Sequence, residues 1–129
     1  MFDFSRGGND TFTQGTASDA TFYGDAGGNM SGHAQGGDDT FTGGDVDFVV
    51  EEHFDGDAKS MSESAKGGND TLTGANQNLG PSAGFGPVTN ILFGDAEFMS
   101  GSAKGGDDTL FAGTTVPDDN ETSAVINDM

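Results

Sequence analysis

The chain has 129 residues, with 22 Asp and Glu against 4 Lys and Arg and a formal net charge of −18. Only 32% of its residues are apolar and 23 are Gly, which excludes a large packed core and leaves a charge that repels itself in any compact state. The lack of a basic patch excludes nucleic acid as a partner, no apolar run is long enough for membrane insertion, and the absence of Cys leaves hard oxygen ligands as the plentiful metal chemistry. Such a composition describes a disordered chain unless a bound cation adds its binding energy to folding.

In chain order, Phe2-Asp3-Phe4 reads as a first strand with both phenylalanines on one face, and no apolar h-region of a cleaved signal precedes it. Gly7 to Phe12 introduces a motif, Gly-Gly-(Asn/Asp)-Asp-Thr-(Phe/Leu), that returns at Gly36 to Phe41, Gly67 to Leu72 and Gly105 to Leu110. A second element, Gly-Asp-Ala followed by Met-Ser, stands before the last three of these. Its copies are Gly24-Asp25-Ala26 with Met30-Ser31, Gly56-Asp57-Ala58 with Met61-Ser62, and Gly94-Asp95-Ala96 with Met99-Ser100.

Phe54 to Leu72 and Leu92 to Leu110 each span 18 residues, and Phe22 to Phe41 spans 19. An apolar residue that returns at a near-constant interval marks one coil of a repeat architecture. The expected fold is therefore all-β, a parallel β-roll or β-solenoid with coils of about 18 residues, in which Met marks the wall opposite Phe and Leu and the strands bury a thin double row of all three. Thr11-Phe12-Thr13, Thr40-Phe41-Thr42 and Thr71-Leu72-Thr73 alternate with period two, the apolar residue inward and the threonines outward. Between the motifs, residues 13–21, 43–53 and 73–90 vary in length and read as irregular coils or outward loops. Further strands are expected at 47–51 and 87–91, and a loop at 80–87. The repeat domain is 1–113, and 114–129 is an acidic C-terminal tail with a short apolar tip.

The four Gly-Gly segments resemble the RTX (hemolysin-type) calcium-binding repeat family, whose nonapeptide is Gly-Gly-x-Gly-x-Asp-x-Φ-x, and the Gly-Asp-Ala units look like a degenerate variant of it. The resemblance implies calcium bound in the turns, with Asp10, Asp39, Asp70 and Asp108 as side-chain ligands on one edge and carbonyls near Gly8, Gly37, Gly68 and Gly106 beside them. On the opposite edge Asp25, Asp57 and Asp95 are candidate ligands, although there Asp follows Gly directly. Calcium takes six to eight oxygens, and glycine turns leave their carbonyls open to it. The family resemblance also implies an extracellular or cell-surface protein exported by a type I secretion system.

No Ser-His-Asp spacing, Gly-x-Ser-x-Gly elbow, His-Glu-x-x-His or phosphate loop appears, so no enzyme is expected. Asp118-Asp119 and Asp45-Val46-Asp47 read as solvated acids, His33 and His53 as surface or strand residues, and Arg6, Lys66 and Lys104 as stems covering a strand edge. The function expected is structural, an extracellular matrix component that stacks head to tail into filaments when calcium is bound. The alternatives are an ice-binding face of outward threonines and a calcium-folded secretion module.

Overall fold

The computed structural model describes residues 1–16, 19–46, 50–77 and 88–114, and the backbone of 124–128. The described residues form strands and no helix: β1 (Thr11–Thr13), β2 (Ala20–Tyr23), β3 (Ala26–Met30), β4 (Thr40–Thr42), β5 (Asp45–Val46), β6 (Val50–Asp55), β7 (Ala58–Met61), β8 (Thr71–Thr73), β9 (Asn76–Gln77), β10 (Val88–Phe93), β11 (Ala96–Met99), β12 (Thr109–Phe111) and β13 (Ala124–Asp128). They assemble into four sheets ordered β1-β4-β8-β12, β13-β10-β6-β2, β11-β7-β3 and β5-β9, and every pairing is parallel. Parallel neighbours need a long crossover. Here the crossover from one strand to its partner consists of strands belonging to the other sheets.

This pairing corrects the expected 18-residue coil. Residues that meet across adjacent strands of the β1 sheet are 29, 31 and 38 residues apart, as at Asp10 and Asp39, Asp39 and Asp70, and Asp70 and Asp108. The span from Phe54 to Leu72 is thus part of a circuit, running from β6 to β8 in a different sheet. Both ends are apolar because both sheets face one core, and the motif spacing records the crossing of that core. The variable segments complete the circuit, with β5, β9 and the starts of β6 and β10 lying in them. Of the strands expected at 47–51 and 87–91, residues 50–51 and 88–91 lie in strands Val50–Asp55 and Val88–Phe93; 47–49 and the loop expected at 80–87 lie outside the described residues. From the tail, β13 pairs with β10 as a further strand.

The expected double row of Phe, Leu and Met is in fact two separate columns. Phe41, Phe54, Leu72 and Leu92 form one, and Met30, Met61, Ala34, Ala58 and Ala65 form the other. A smaller cluster of Val46, Val50, Ala75 and Val88 comes from the segments expected to be irregular coils or outward loops. In the β1 sheet the register stacks Phe12 on Phe41 and Phe41 on Leu72, with threonines in line on either side, as the alternation requires.

The turn after each Met-Ser explains the N-terminal residues. Gly32 and Gly101 have φ of 70° and 68°, where a side chain is strained, yet Asp3 and Glu63 adopt 55° and 60° at the equivalent positions. The Ser31 amide donates to the Met1 carbonyl at 3.1 Å just as the Ser62 amide donates to that of Met30 at 2.9 Å. Residues 1–5 are therefore another copy of the Met turn, with Met1 packed on the Met/Ala column. The first strand expected at Phe2-Asp3-Phe4 does not form, and the two phenylalanines are exposed.

Candidate metal centre

Each Gly-Asp-Ala turn leaves the Phe/Leu column and enters the Met/Ala column, as Gly56-Asp57 does between Phe54 and Ala58. Each Gly-Gly-x-Asp turn makes the return journey, as residues 67–70 do between Ala65 and Leu72. Both kinds of turn therefore cross the waist between the columns, and there they meet. A Cβ added to Gly24 would overlap Asp39 Oδ2, one on Gly56 would overlap Asp70 Oδ2, and one on Gly94 would overlap Asp108 Oδ2. In the reverse sense Gly36 stands over Asp57, and Gly67 and Gly105 stand over Asp95. The opposite edges assigned from the sequence are thus one place: Asp10, Asp25, Asp39, Asp57, Asp70, Asp95 and Asp108 line a single spine.

Amides hold the spine in register. The Asp10 amide donates to Asp39 Oδ1 at 2.7 Å, that of Asp39 to Asp70 Oδ1 at 2.7 Å, and that of Asp70 to Asp108 Oδ1 at 2.9 Å. The other set is fixed by the second glycine of each pair: the Gly37 amide donates to Asp25 Oδ2 at 2.8 Å, Gly68 to Asp57 Oδ1 at 3.1 Å and Gly106 to Asp95 Oδ1 at 2.7 Å. The candidate carbonyls are placed differently from the sequence expectation. A Cβ on Gly37, Gly68 or Gly106 would overlap the carbonyl oxygen of Gly8, Gly37 or Gly68, so these carbonyls press on the next circuit's glycine. The carbonyls beside the free carboxylate oxygens are those of Gly56, next to Asp39 Oδ2, and Gly94, next to Asp70 Oδ2.

The electrostatics of the bare spine are unfavourable. Asp39, Asp57 and Asp70 are at most 1% exposed, and Asp39 Oδ2, Asp70 Oδ2 and Asp25 Oδ1 are buried with no hydrogen-bond partner. Burial, followed by the charge of Asp70, raises the Asp57 carboxyl to about 10; burial likewise raises Asp70 to about 8 and Asp39 and Asp95 to about 6. Among the described residues no Lys or Arg reaches a carboxylate, the one close pair being His53 Nε2 with Asp55 Oδ1 at 3.3 Å. Nor, among the described residues, do three acidic or imidazole side chains converge to hold a metal by side chains alone. A hard cation fits the donor set nonetheless: the available atoms are all oxygen, buried carboxylate oxygens lack partners, and glycine carbonyls lie beside them.

Other polar residues occupy separate places. Arg6, Gln35, Lys66 and Lys104 form a column of parallel bridges on an exposed flank. His33 stacks on Phe4 with ring centroids 5.1 Å apart, and Asp45 is exposed and accepts from Asn76 Nδ2 at 3.1 Å. Sequence reasoning missed Glu52 and Asn90, register partners on β6 and β10, which are buried and both accept from the Ala75 amide at 2.9 Å. Their signal was available, because period two places Glu52 between Val50 and Phe54, and Asn90 between Val88 and Leu92, on the inward face. No family model, curated protein or solved structure matches this chain.

Proposed function

We propose that this chain is a secreted calcium-binding β-roll with a structural role in the extracellular matrix, folding as calcium is supplied and stacking end to end into filaments. The observation that carries the reading is the run of buried carboxylates Asp39, Asp57 and Asp70, with Asp39 Oδ2 and Asp70 Oδ2 unpartnered and no protein cation beside them among the described residues. Burying ionised carboxylates unpaired is so costly that they either take up protons or hold a cation. Calcium supplies charge neutralisation and demands only oxygen ligands; Asp25, Asp39, Asp57, Asp70, Asp95 and Asp108 would hold it, with glycine carbonyls completing the shell. The Gly-Gly-x-Asp repeats that resemble RTX sequences support the same ion, the extracellular setting and type I export.

Binding to the folded form alone adds to stability by mass action. Titrating calcium into chelated protein is expected to convert a coil-like circular dichroism spectrum into a β spectrum. A β spectrum that persists unchanged in excess chelator would remove the ion from the account.

A further inference from the structure

We infer that the spine holds its calcium as one interior file between the two apolar columns, each ion shared by a carboxylate of a Gly-Asp-Ala turn and one of the Gly-Gly-x-Asp turn that follows it. The pairs are Asp25 with Asp39, Asp57 with Asp70, and Asp95 with Asp108. This rests on the calcium reading above and departs from two rows of ions in turns on separate edges.

Three observations place the pairs. The Gly-Asp-Ala glycines Gly24, Gly56 and Gly94 lie directly against Asp39 Oδ2, Asp70 Oδ2 and Asp108 Oδ2, and the aspartate after each glycine is close enough for the two charges to repel, Asp25 with Asp39, Asp57 with Asp70 and Asp95 with Asp108. The oxygens turned into that gap at Asp39 and Asp70 are the ones without hydrogen-bond partners, their Oδ1 atoms being occupied by the amide ladder. The carbonyls of Gly56 and Gly94 reach the same gaps from the next circuit. The gaps at Asp39 and Asp70 therefore gather oxygens from both turn types and from two circuits, the composition a hard cation with many oxygen ligands requires.

Position makes the file an internal strut. Asp39, Asp57 and Asp70 are buried in the turns that join the column of Phe41, Phe54 and Leu72 to that of Met61, Ala58 and Ala65. Where the file reaches Asp95 and Asp108 it opens into a cavity of about 510 Å³ that Gly94, Met99 and Leu110 also line. Loading the file thus neutralises the waist that both apolar columns must close upon, and neither column can pack fully while it carries bare charge.

The test is a double-substitution cycle, Asp57→Asn, Asp70→Asn and both together, with calcium stoichiometry read by isothermal titration and the fold read by circular dichroism. A shared ion is expected to be lost in either single variant, with no further ion lost in the double. Loss of a second ion in the double variant would overturn the file and restore two rows. Should these variants fail to fold, Asp95→Asn and Asp108→Asn repeat the cycle at the open end. Terbium luminescence lifetimes of the unsubstituted protein in light and heavy water give a reading independent of any variant. Interior ions are expected to keep roughly one water or none, and several waters per ion would place them on the rim and overturn the file. Wild-type protein that takes up no calcium or terbium would instead overturn the calcium reading itself.

Discussion

Glu52 shows how a single inward-facing acid shapes the energetics away from the spine. It is fully buried on β6, where burial raises its carboxyl from 4.5 to about 7 while hydrogen bonds from the Ala75 amide and Gln14 pull it down. Its folded value lies above its unfolded one, so it favours the fold below about pH 4.5, and that contribution is lost as pH rises through about 7. The shift corresponds to a contribution on the order of 3 kcal/mol across this window. Replacing Glu52 with Gln keeps the neutral shape and the acceptor. Denaturant midpoints measured at fixed calcium between pH 5 and 8 are expected to fall less steeply in the variant than in the wild type, and parallel slopes would contradict the assignment. The inward position of Glu52 was legible in the alternation with Val50 and Phe54, whereas its partner Ala75 was not, since β6 and the β8–β9 connection meet only through the circuit.

Among the elements, the three-residue strands β4 and β8 owe their stability to the inward residue each contributes. Phe41 and Leu72 are wholly buried, and Phe41 lies 3.5 Å from Phe54 between ring centroids, so removing its ring opens a hole in the middle of a column. Phe41→Ala is expected to cost roughly 3–5 kcal/mol. Phe98→Ala, at a ring that is 59% exposed, should change stability by no more than about 0.5 kcal/mol. Chemical denaturation in saturating calcium separates the two, and equal losses would show that the columns are not the source of stability. At the Thr13, Thr42, Thr73 register position Phe111 stands in β12, interrupting the threonine rank that an ice-binding face would need.

At the scale of the molecule, parallel pairing among the described residues leaves β1 and β12 as the outer strands of their sheet, with Phe12 40% exposed on the first and Phe111 55% exposed on the second. Outer strands carry unpaired amides and carbonyls, and a second copy stacked in the same parallel sense would pair them. A chain at −18 approaches its own copies only when cations neutralise it. Linear oligomers are therefore expected in millimolar calcium and should disperse on chelation, with Phe4→Asp weakening them, as sedimentation velocity would record. A species that stays monomeric at high concentration in calcium would end the assembly proposal and leave the parallel sheets untouched.

The sequence by itself determined the all-β class of structure and offered the aspartates that the turns bring together. Four Gly-Gly-x-Asp segments and three Gly-Asp-Ala segments, with period-two alternation and no helical periodicity, point to strands and turns because local spacing encodes local conformation. Only the tertiary structure decided how far the chain travels before it stacks on itself, because a circuit of 29 to 38 residues is closed by pairing between distant strands that no local pattern specifies. The same closure brought Asp25, Asp57 and Asp95 close to Asp39, Asp70 and Asp108, separated the Met column from the Phe column, and placed Phe2-Asp3-Phe4, expected as a strand, in a turn. Spacing along the chain measures contour, and the distance between two carboxylates depends on where the sheets carry that contour in space.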